Sequence, residues 1–437
     1  MRPALPGGPY LVAGLARSGI AAALALQARG ERVVGVDAGS PDVGRLAAAG
    51  VEVHLDDPGD RLLDGVRTLV KSPGVPQDAA VVLAARARGL EVVGELELAW
   101  RLIPNEFIAV TGTNGKTTTS ELIGHIHREA GLPVAVAGNI GTALSSLADM
   151  LDPDAVVVCE ASSFQLEDTT AFAPEAAVLL NLAPDHLDRH GTFDAYVEAK
   201  RAAFARQGPD GIAVLPEDLD IVVGGRARRV TFGGAGGSAD VSLRDVAIWW
   251  RDEHLLATDE LRLPGAHNAE NAMAAAAVTL ARGVDPDAVR RGLRSFRGVP
   301  HRLELIAELD GVRYVNDSKA TNVSSTEVAL RSYASGVHLI AGGVTKDQDF
   351  AGLAPLVAER CRAVYLIGAG SAELAAALVG SGVPLEPSVE LAQALADARA
   401  AARPGDVVLL SPACASFDQY RDFEARGDHF RALVERL

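Results

Sequence analysis

Lysine is scarce in this 437-residue chain: of 41 basic residues only Lys71, Lys116, Lys200, Lys319 and Lys346 carry an ammonium group. A chain that places nearly all its positive charge on arginine keeps lysine where a compact ammonium, or an amine able to lose its proton, is required. The five positions therefore sketch a candidate active site, against the alternative of chance placement. Cysteine is equally sparse. Cys159, Cys361 and Cys414 are odd in number and widely spaced, which offers neither a disulfide framework nor a metal cluster. Cys159, closing a strand-like run, reads as a small buried hydrophobe. Positive charge is in deficit, with a formal net charge of −16, and this argues against a nucleic-acid binder. Any anionic substrate must then be met by local cations. No run reaches the ~18 apolar residues of a membrane span. The N-terminal apolar stretch is interrupted at Gly14, Arg17, Ser18 and Gly19 with no cleavage pattern following, so it does not read as a signal peptide. The expectation is a cytoplasmic protein with no membrane insertion.

What is present is an alternation of short β-branched runs and Ala/Leu-rich helical patterns, which indicates α/β units built on parallel sheets. The length suits two to four domains, and 48% apolar composition fills several cores. Tyr10-Leu11-Val12-Ala13 leads into Gly14-Leu15-Ala16-Arg17-Ser18-Gly19, and the next strand ends at Asp37. This is a Rossmann-like opening, but Ala16 leaves the G-x-G-x-x-G fingerprint incomplete. A generic nucleotide site, a structural βαβ unit and a nicotinamide site all remain open there. A further strand runs from Thr68 to Lys71 into Ser72-Pro73-Gly74, and the first domain is expected to span 1–95.

The second domain, 96–298, carries the sharpest signal: Phe107-Ile108-Ala109-Val110 enters Gly112-Thr113-Asn114-Gly115-Lys116-Thr117-Thr118. A strand, a glycine-rich turn and a helix N-terminus make an anion cradle from unpaired N–H groups and the helix dipole. Lys116 supplies charge to the outer phosphates and the Thr117 hydroxyl can ligate Mg²⁺. Val110 stands where the first glycine of the full P-loop pattern belongs, which points away from an ordinary kinase or GTPase. Glu160, at a strand end beside this loop, is the natural Mg²⁺ ligand opposite Thr117. His186 and His190 lie in one cluster, and either could join a second metal or be structural. Lys200 falls on the apolar stripe Phe193, Tyr196, Val197, Phe204 of an expected helix over 193–204. There it snorkels its head to water, or its desolvated neutral amine reacts with carbon dioxide to give a carbamate, a hard oxygen ligand for Mg²⁺. Residues 210–262 read as a β-rich insertion without chemistry. A third domain, 299–437, repeats the theme of strands ending in small or polar residues, and the three suggest a cleft that closes between them.

Several runs together resemble the ATP-dependent Mur ligase family. They are the phosphate loop, Gly138-Asn139-Ile140-Gly141, Glu160-Ala161-Ser162-Ser163-Phe164-Gln165, Asp185-His186-Leu187-Asp188-Arg189-His190, His267-Asn268-Ala269-Glu270-Asn271 and His301-Arg302. Three more, Asn316-Asp317-Ser318-Lys319-Ala320-Thr321-Asn322, Gly342-Gly343-Val344-Thr345-Lys346 and 410–419, resemble the branch that ligates D-glutamate to UDP-N-acetylmuramoyl-L-alanine during peptidoglycan synthesis. The resemblance implies a Rossmann-like N-terminal domain holding the uridine nucleotide, with Leu15, Asp37 and Ser72 as contacts. It implies a P-loop-type central domain where Gly112 to Thr118, Asn268 and Asn271 bind ATP. Thr117 and Glu160 would hold one Mg²⁺ ion, His186 and a carbamylated Lys200 a second, and Asn139 and His186 would face the muramoyl substrate. In the Rossmann-like C-terminal domain Arg302, Asp317 and Lys319 would serve the nucleotide and transferred phosphate, closing on ATP, while Thr321, Lys346, Ser416 and Phe423 would form the D-glutamate pocket. The implied protein is a monomer serving cell-wall biogenesis, and thereby cell shape and division. Sister ligases are rivals, but no Asp-Asn-Pro-Arg motif or Gly-Lys-Gly-Ser loop occurs. A nicotinamide oxidoreductase and a non-catalytic UDP-sugar sensor are rivals of other classes.

Overall fold

The computed structural model describes residues 2–139, 141–234, 238–263, 265–345 and 349–437, apart from the side chain of Asp188. Lys346 lies outside the described residues. The chain separates into two compact units, Met1–Phe296 and Arg297–Leu437.

The first unit holds two sheets. Strands β1 (Tyr10–Ala13), β2 (Val33–Val36), β3 (Glu52–His54), β4 (Thr68–Lys71) and β5 (Glu91–Gly94) run parallel in the order β3-β2-β1-β4-β5. Both faces are covered, which is why β1 reads as an unbroken apolar run rather than an alternating one. The chain order reverses at β1, and in open α/β sheets ligands gather beyond the strand ends at such a point.

The second sheet has nine strands: β6 (Phe107–Thr111), β7 (Val134–Gly138), β8 (Val156–Glu160), β9 (Ala176–Leu179), β10 (Ile212–Pro216), β11 (Arg228–Gly233), β12 (Val241–Arg244), β13 (Ala247–Trp250) and β14 (Glu253–Ala257). Their order is β14-β13-β12-β11-β10-β9-β6-β8-β7. The order reverses at β6, so the phosphate loop that follows it opens at the switch point. Residues 210–262 are not an insertion, contrary to the sequence reading. Strands β10, β11 and β12 continue the parallel sheet from β9, and a hairpin of β13 and β14 completes it, with β13 antiparallel to both β12 and β14. Phe172 anchors the core on one face, edge-on to both Trp100 and Phe107.

The second unit is one six-stranded sheet of β15 (Glu304–Leu309), β16 (Val312–Asn316), β17 (Val337–Gly342), β18 (Cys361–Ile367), β19 (Leu385–Val389) and β20 (Val407–Leu410), ordered β15-β16-β20-β17-β18-β19. All pairs are parallel except β15 with β16. Apolar clusters cover both faces. The expected α/β class is therefore what forms, and among the described residues no helix is long and apolar enough to cross a membrane.

One lysine leaves the expected pattern. Lys71 is fully buried, its Nζ 2.7 Å from Asp168 Oδ2 and donating to the Val75 carbonyl at 2.8 Å. It ties β4 to the segment after the short helix Ser163–Leu166, and so it serves the join of the two sheets rather than an active site. Burial pulls the Lys71 pKa down and pushes that of Asp168 up, each offset in part by the partner's charge. Breaking such a pair strands a buried charge, whereas replacing both partners by apolar groups is far milder. Asp168→Ala is expected to lower the unfolding free energy by about 3–5 kcal/mol, and Lys71→Met with Asp168→Leu to recover most of it. Urea midpoints measure both; a single-variant loss below about 1 kcal/mol, the value of an exposed pair, would show that the ion pair is idle.

Candidate active site

The phosphate loop is built as its residue types require. Gly112 has φ +146° and a Cβ there would meet Leu180 Cβ at 3.0 Å, while Gly115 has φ +85° and a Cβ would strike Asn271 Oδ1 at 2.2 Å. Only glycine fits either position. The helix Lys116–Glu129 starts at Gly115 with no side-chain cap, so the positive end of its dipole faces the loop. The loop is held from below by Asn181 at the end of β9: its carbonyl accepts from Thr113 N at 3.1 Å and its Oδ1 from Asn114 N at 2.9 Å. Thr117 is buried and Thr118 half-buried. Asn271 is buried with Oδ1 accepting from Thr119 Oγ1 at 3.3 Å, so it buttresses the loop. Asn268 is half-buried one turn earlier on the same helix, Ala266–Ala281.

Lys200 is the unusual member. Its helix is Phe193–Arg201, shorter than expected and capped by Thr192, whose side chain accepts from Ala195 N. Phe193 is exposed and Phe204 lies past the helix end, so the apolar stripe is narrower than its spacing suggested. Lys200 does not snorkel: it is 2% exposed, with Nζ donating to the Gly112 carbonyl at 2.8 Å and lying 4.4 Å from the Tyr196 ring centroid. Its charge meets a carbonyl and an aromatic face. Desolvation first, then the nearby Lys116 charge, pull its pKa down to about 7, while Asp185 offsets part of this. Lys116 Nζ donates to the same Gly112 carbonyl at 2.9 Å and to that of Thr113 at 2.8 Å. Two ammonium groups thus converge on one acceptor. Tyr196, taken in the sequence only as core, supports both elements through a 3.0 Å bond between its hydroxyl and Thr113 Oγ1.

Glu160 ends β8 almost wholly buried, with Oε1 accepting from Asn139 Nδ2 at 3.1 Å. Asn139 is itself exposed, past the end of β7. The two clustered histidines divide. His190 is packed between Phe164 and Tyr196 and shares a 2.9 Å bond with Ser163 Oγ, and burial lowers its pKa. His186 is about half exposed at φ +52°, with its ring 4.7 Å from Phe164 and Nε2 3.4 Å from Asp185 Oδ2. It is the more exposed of the two histidines. Among the described residues no group of three or more His, Cys, Asp or Glu forms a ready metal site.

Two cavities open at the strand ends of this unit. One, of about 490 Å³, lies beyond β1, β2 and β4 and is lined by Asp37, Ser72, Asn139 and Gln165 among others. Leu15, Asp37 and Ser72 shape its glycine turn. Leu15 N donates to Asp37 Oδ2 at 2.6 Å, the Leu15 side chain is buried, and Ser72 Oγ donates to the Gly14 carbonyl at 2.6 Å. The second, of about 310 Å³, lies beside the phosphate loop between Leu180, Asn181, Pro216, Phe232 and Met273. Several of its walls come from the strands that the sequence suggested were an insertion.

In the second unit the strand ends of β16, β17 and β20 are gathered by one residue the sequence reading missed. Arg426 is 1% exposed and donates to Ser318 Oγ and the Ser318 carbonyl, both at 2.9 Å, and to the Cys414 carbonyl at 3.2 Å. Its only sequence signal is an arginine on the buried stripe of the helix Phe423–Val434. Asp317 is buried and accepts from Ser411 Oγ at 2.8 Å and Leu303 N at 3.1 Å, and burial pushes its pKa up to about 7. Lys319 N donates to the His301 carbonyl, so the Arg302 and Lys319 segments adjoin. Thr321 and Phe423 are half-buried, and the Phe423 carbonyl accepts from Ser318 Oγ at 2.8 Å. Ser416 is buried, its Oγ without a hydrogen-bond partner among the described residues.

Comparison with known proteins agrees with this arrangement. Residues 110–279 match the Mur ligase middle domain and residues 301–414 the Mur ligase, glutamate ligase domain. The chain is similar to a UDP-N-acetylmuramoylalanine–D-glutamate ligase of Pelotomaculum thermopropionicum, 43% identical over 447 residues, covering 98% of this chain and 97% of that one. Among solved structures it is similar in fold to the UDP-N-acetylmuramate–alanine ligase of Thermotoga maritima, with TM-score 0.57, 19% identity and 98% of both chains covered. It is similar too to a MurF ligase from Thermotoga maritima in complex with ADP, with TM-score 0.55, 19% identity, and 93% of this chain and 96% of that one covered. On these grounds the chain belongs to the Mur ligase family.

Proposed function

We propose that this chain is an ATP-dependent amide ligase that adds D-glutamate to UDP-N-acetylmuramoyl-L-alanine in the synthesis of peptidoglycan precursors, working in the cytoplasm as a monomer. The observation that carries the reading is the phosphate loop with Lys116 and Lys200 converging on the Gly112 carbonyl. The substrate's terminal carboxylate attacks the γ-phosphorus of ATP, giving an acyl phosphate and ADP. The amine of D-glutamate then attacks the acyl carbon, the C–O bond to phosphate breaks, and the amine loses a proton. Both partners in the first step are anions, so the chain's contribution is charge neutralisation and in-line positioning.

Residues 1–95 would hold the uridine nucleotide in the cavity at the end of β1. Residues 96–298 would hold ATP, with residues 112–118 on the phosphates, Asn271 behind the loop, Asn268 beside it, and adenosine in the cavity walled by Phe232 and Met273. Asn139 and His186 would face the muramoyl part. From residues 299–437, Arg302, Asp317 and Lys319 would serve the nucleotide, while Thr321, Lys346, Ser416 and Phe423 would bind D-glutamate. The donor set suits Mg²⁺ at one position, since Thr117 and Glu160 are oxygen ligands at the mouth of a phosphate loop. His186 with Lys200 suits a second ion only once Lys200 becomes a carbamate, because an ammonium cannot ligate a cation. Bound there, Mg²⁺ would lower the repulsion between carboxylate and phosphate.

Release of ADP in the presence of both UDP-N-acetylmuramoyl-L-alanine and D-glutamate, and not with either alone, is the expected result. Phosphate release with a different amino acid would move the chain to a sister activity. Lys346→Ala is expected to raise the D-glutamate KM by about 10–100-fold, the ~1.5–3 kcal/mol of a charge-assisted hydrogen bond, with the ATP KM little changed. Equal changes in both would place Lys346 elsewhere.

A further inference from the structure

The cavity at the end of β1 has an electrostatic problem. Two carboxylates, Asp37 and Asp57, stand in its wall, and their oxygens are held by backbone amides: Asp37 by Leu15 and Gly39, Asp57 by Gly59. A nucleoside diphosphate entering it adds further negative charge. The helix Arg17–Gln27 begins at this wall after Gly14, at φ +85°, and has no side-chain cap. Its amides and dipole offer the equivalent of only about half a positive charge. That cannot neutralise a doubly charged diphosphate beside two carboxylates.

Arg17 is the one basic residue lining this cavity among the described residues. Its side chain is exposed, at the first turn of the helix, and Nη1 donates to the Gly141 carbonyl at 3.1 Å. Gly141 follows β7, close in sequence to Asn139, which also lines the cavity. The guanidinium therefore reaches from the first sheet's glycine turn to a loop that follows β7 of the second sheet. One of its five N–H donors goes to that carbonyl, and the fork geometry of the others matches phosphate oxygens. In the sequence Arg17 stood out only as an interruption of the N-terminal apolar stretch. In the structure it is the cation in the cavity lining, whereas Lys71 and Arg189 stand behind the wall on the Pro73 and Val75 carbonyls and pair with Asp168 and Glu167.

We propose that Arg17 recognises the diphosphate of the nucleotide-sugar substrate, and is the residue that makes this cavity select a nucleoside diphosphate over the bare nucleoside. The proposal rests on the ligase reading for the identity of the substrate. Calorimetric titration of the full chain with UDP and with uridine separates the two ideas. Arg17→Ala is expected to weaken UDP by about 10–100-fold and to leave uridine affinity unchanged. Arg17→Lys should regain part of the UDP affinity, because it restores the charge without the fork. In turnover, Arg17→Ala should raise the KM for UDP-N-acetylmuramoyl-L-alanine while the KM values for ATP and D-glutamate stay put. Thermal melting of Arg17→Ala should match the wild type, since the side chain is exposed. Equal losses for UDP and uridine, or no loss for UDP, would overturn the role of Arg17. A wild-type chain that binds neither would overturn the uridine site itself and the proposal with it.

Discussion

Lys200→Ala is expected to lower turnover by about 10²–10³-fold, the range seen when a preorganised electrostatic group is removed from an active site. The informative companion is Lys200→Arg. If Lys200 acted as a cation, arginine would preserve much of the rate; a guanidinium neither sheds its proton nor forms a carbamate, so the expected loss is as large as for alanine. Acetate or bicarbonate should partly restore the alanine variant by supplying a carboxylate to the vacated space. Full activity in the unrescued variants would refute the carbamate role.

The chemistry has a pH signature. Lys200 is pulled from 10.5 to about 7 by burial and by the charge of Lys116. Near neutral pH its neutral-amine fraction is therefore on the order of a thousandfold above that of an ordinary lysine. On the proposed carbamate role the neutral amine would add carbon dioxide and lose a proton, so activity should fall as pH drops below about 7. Stability moves in the same direction. The folded pKa lies below the unfolded one, so the cost of burying the ammonium is full below about pH 7 and is relieved as pH rises toward 10.5. Labelled carbon dioxide and a carbonyl-carbon NMR signal lost in Lys200→Ala would report the modification directly.

The strands, the phosphate loop and the polar strand ends were legible because each leaves a local mark: a β-branched run, a glycine, a carboxylate after an apolar stretch. Tertiary pairing leaves no such mark. Lys71 and Lys200 look alike in a sequence, yet one faces Asp168 and the other a carbonyl and an aromatic ring. Arg426 is invisible for the same reason, since its partners lie in loops about 12 and 108 positions away. Residues 210–262 misled because short strands with turn signals read as a module, and register against β9 is a long-range fact. Asp37 and Ser72 line the cavity, and with Leu15 they bond to the glycine turn and to one another.

Lys116→Met should be as damaging as the loss of Lys200, and it tests whether the two lysines act together. Both ammonium groups donate to the Gly112 carbonyl, at 2.9 and 2.8 Å, and the charge on Lys116 is the second cause of the lowered Lys200 pKa. On the proposed role, removing it would take away a cation for the outer phosphates, so ADP release is expected to fall by about 10²–10³-fold, with the KM for the muramoyl substrate nearly unchanged. It also removes a repulsion, so the Lys200 amine should hold its proton to higher pH and the carbamate signal should appear at higher pH than in the wild type. Losses in the double variant should then be far from additive, as expected for groups sharing one acceptor. An unshifted carbamate midpoint with additive losses would mean that the lysines serve the phosphate independently and that their common carbonyl is incidental.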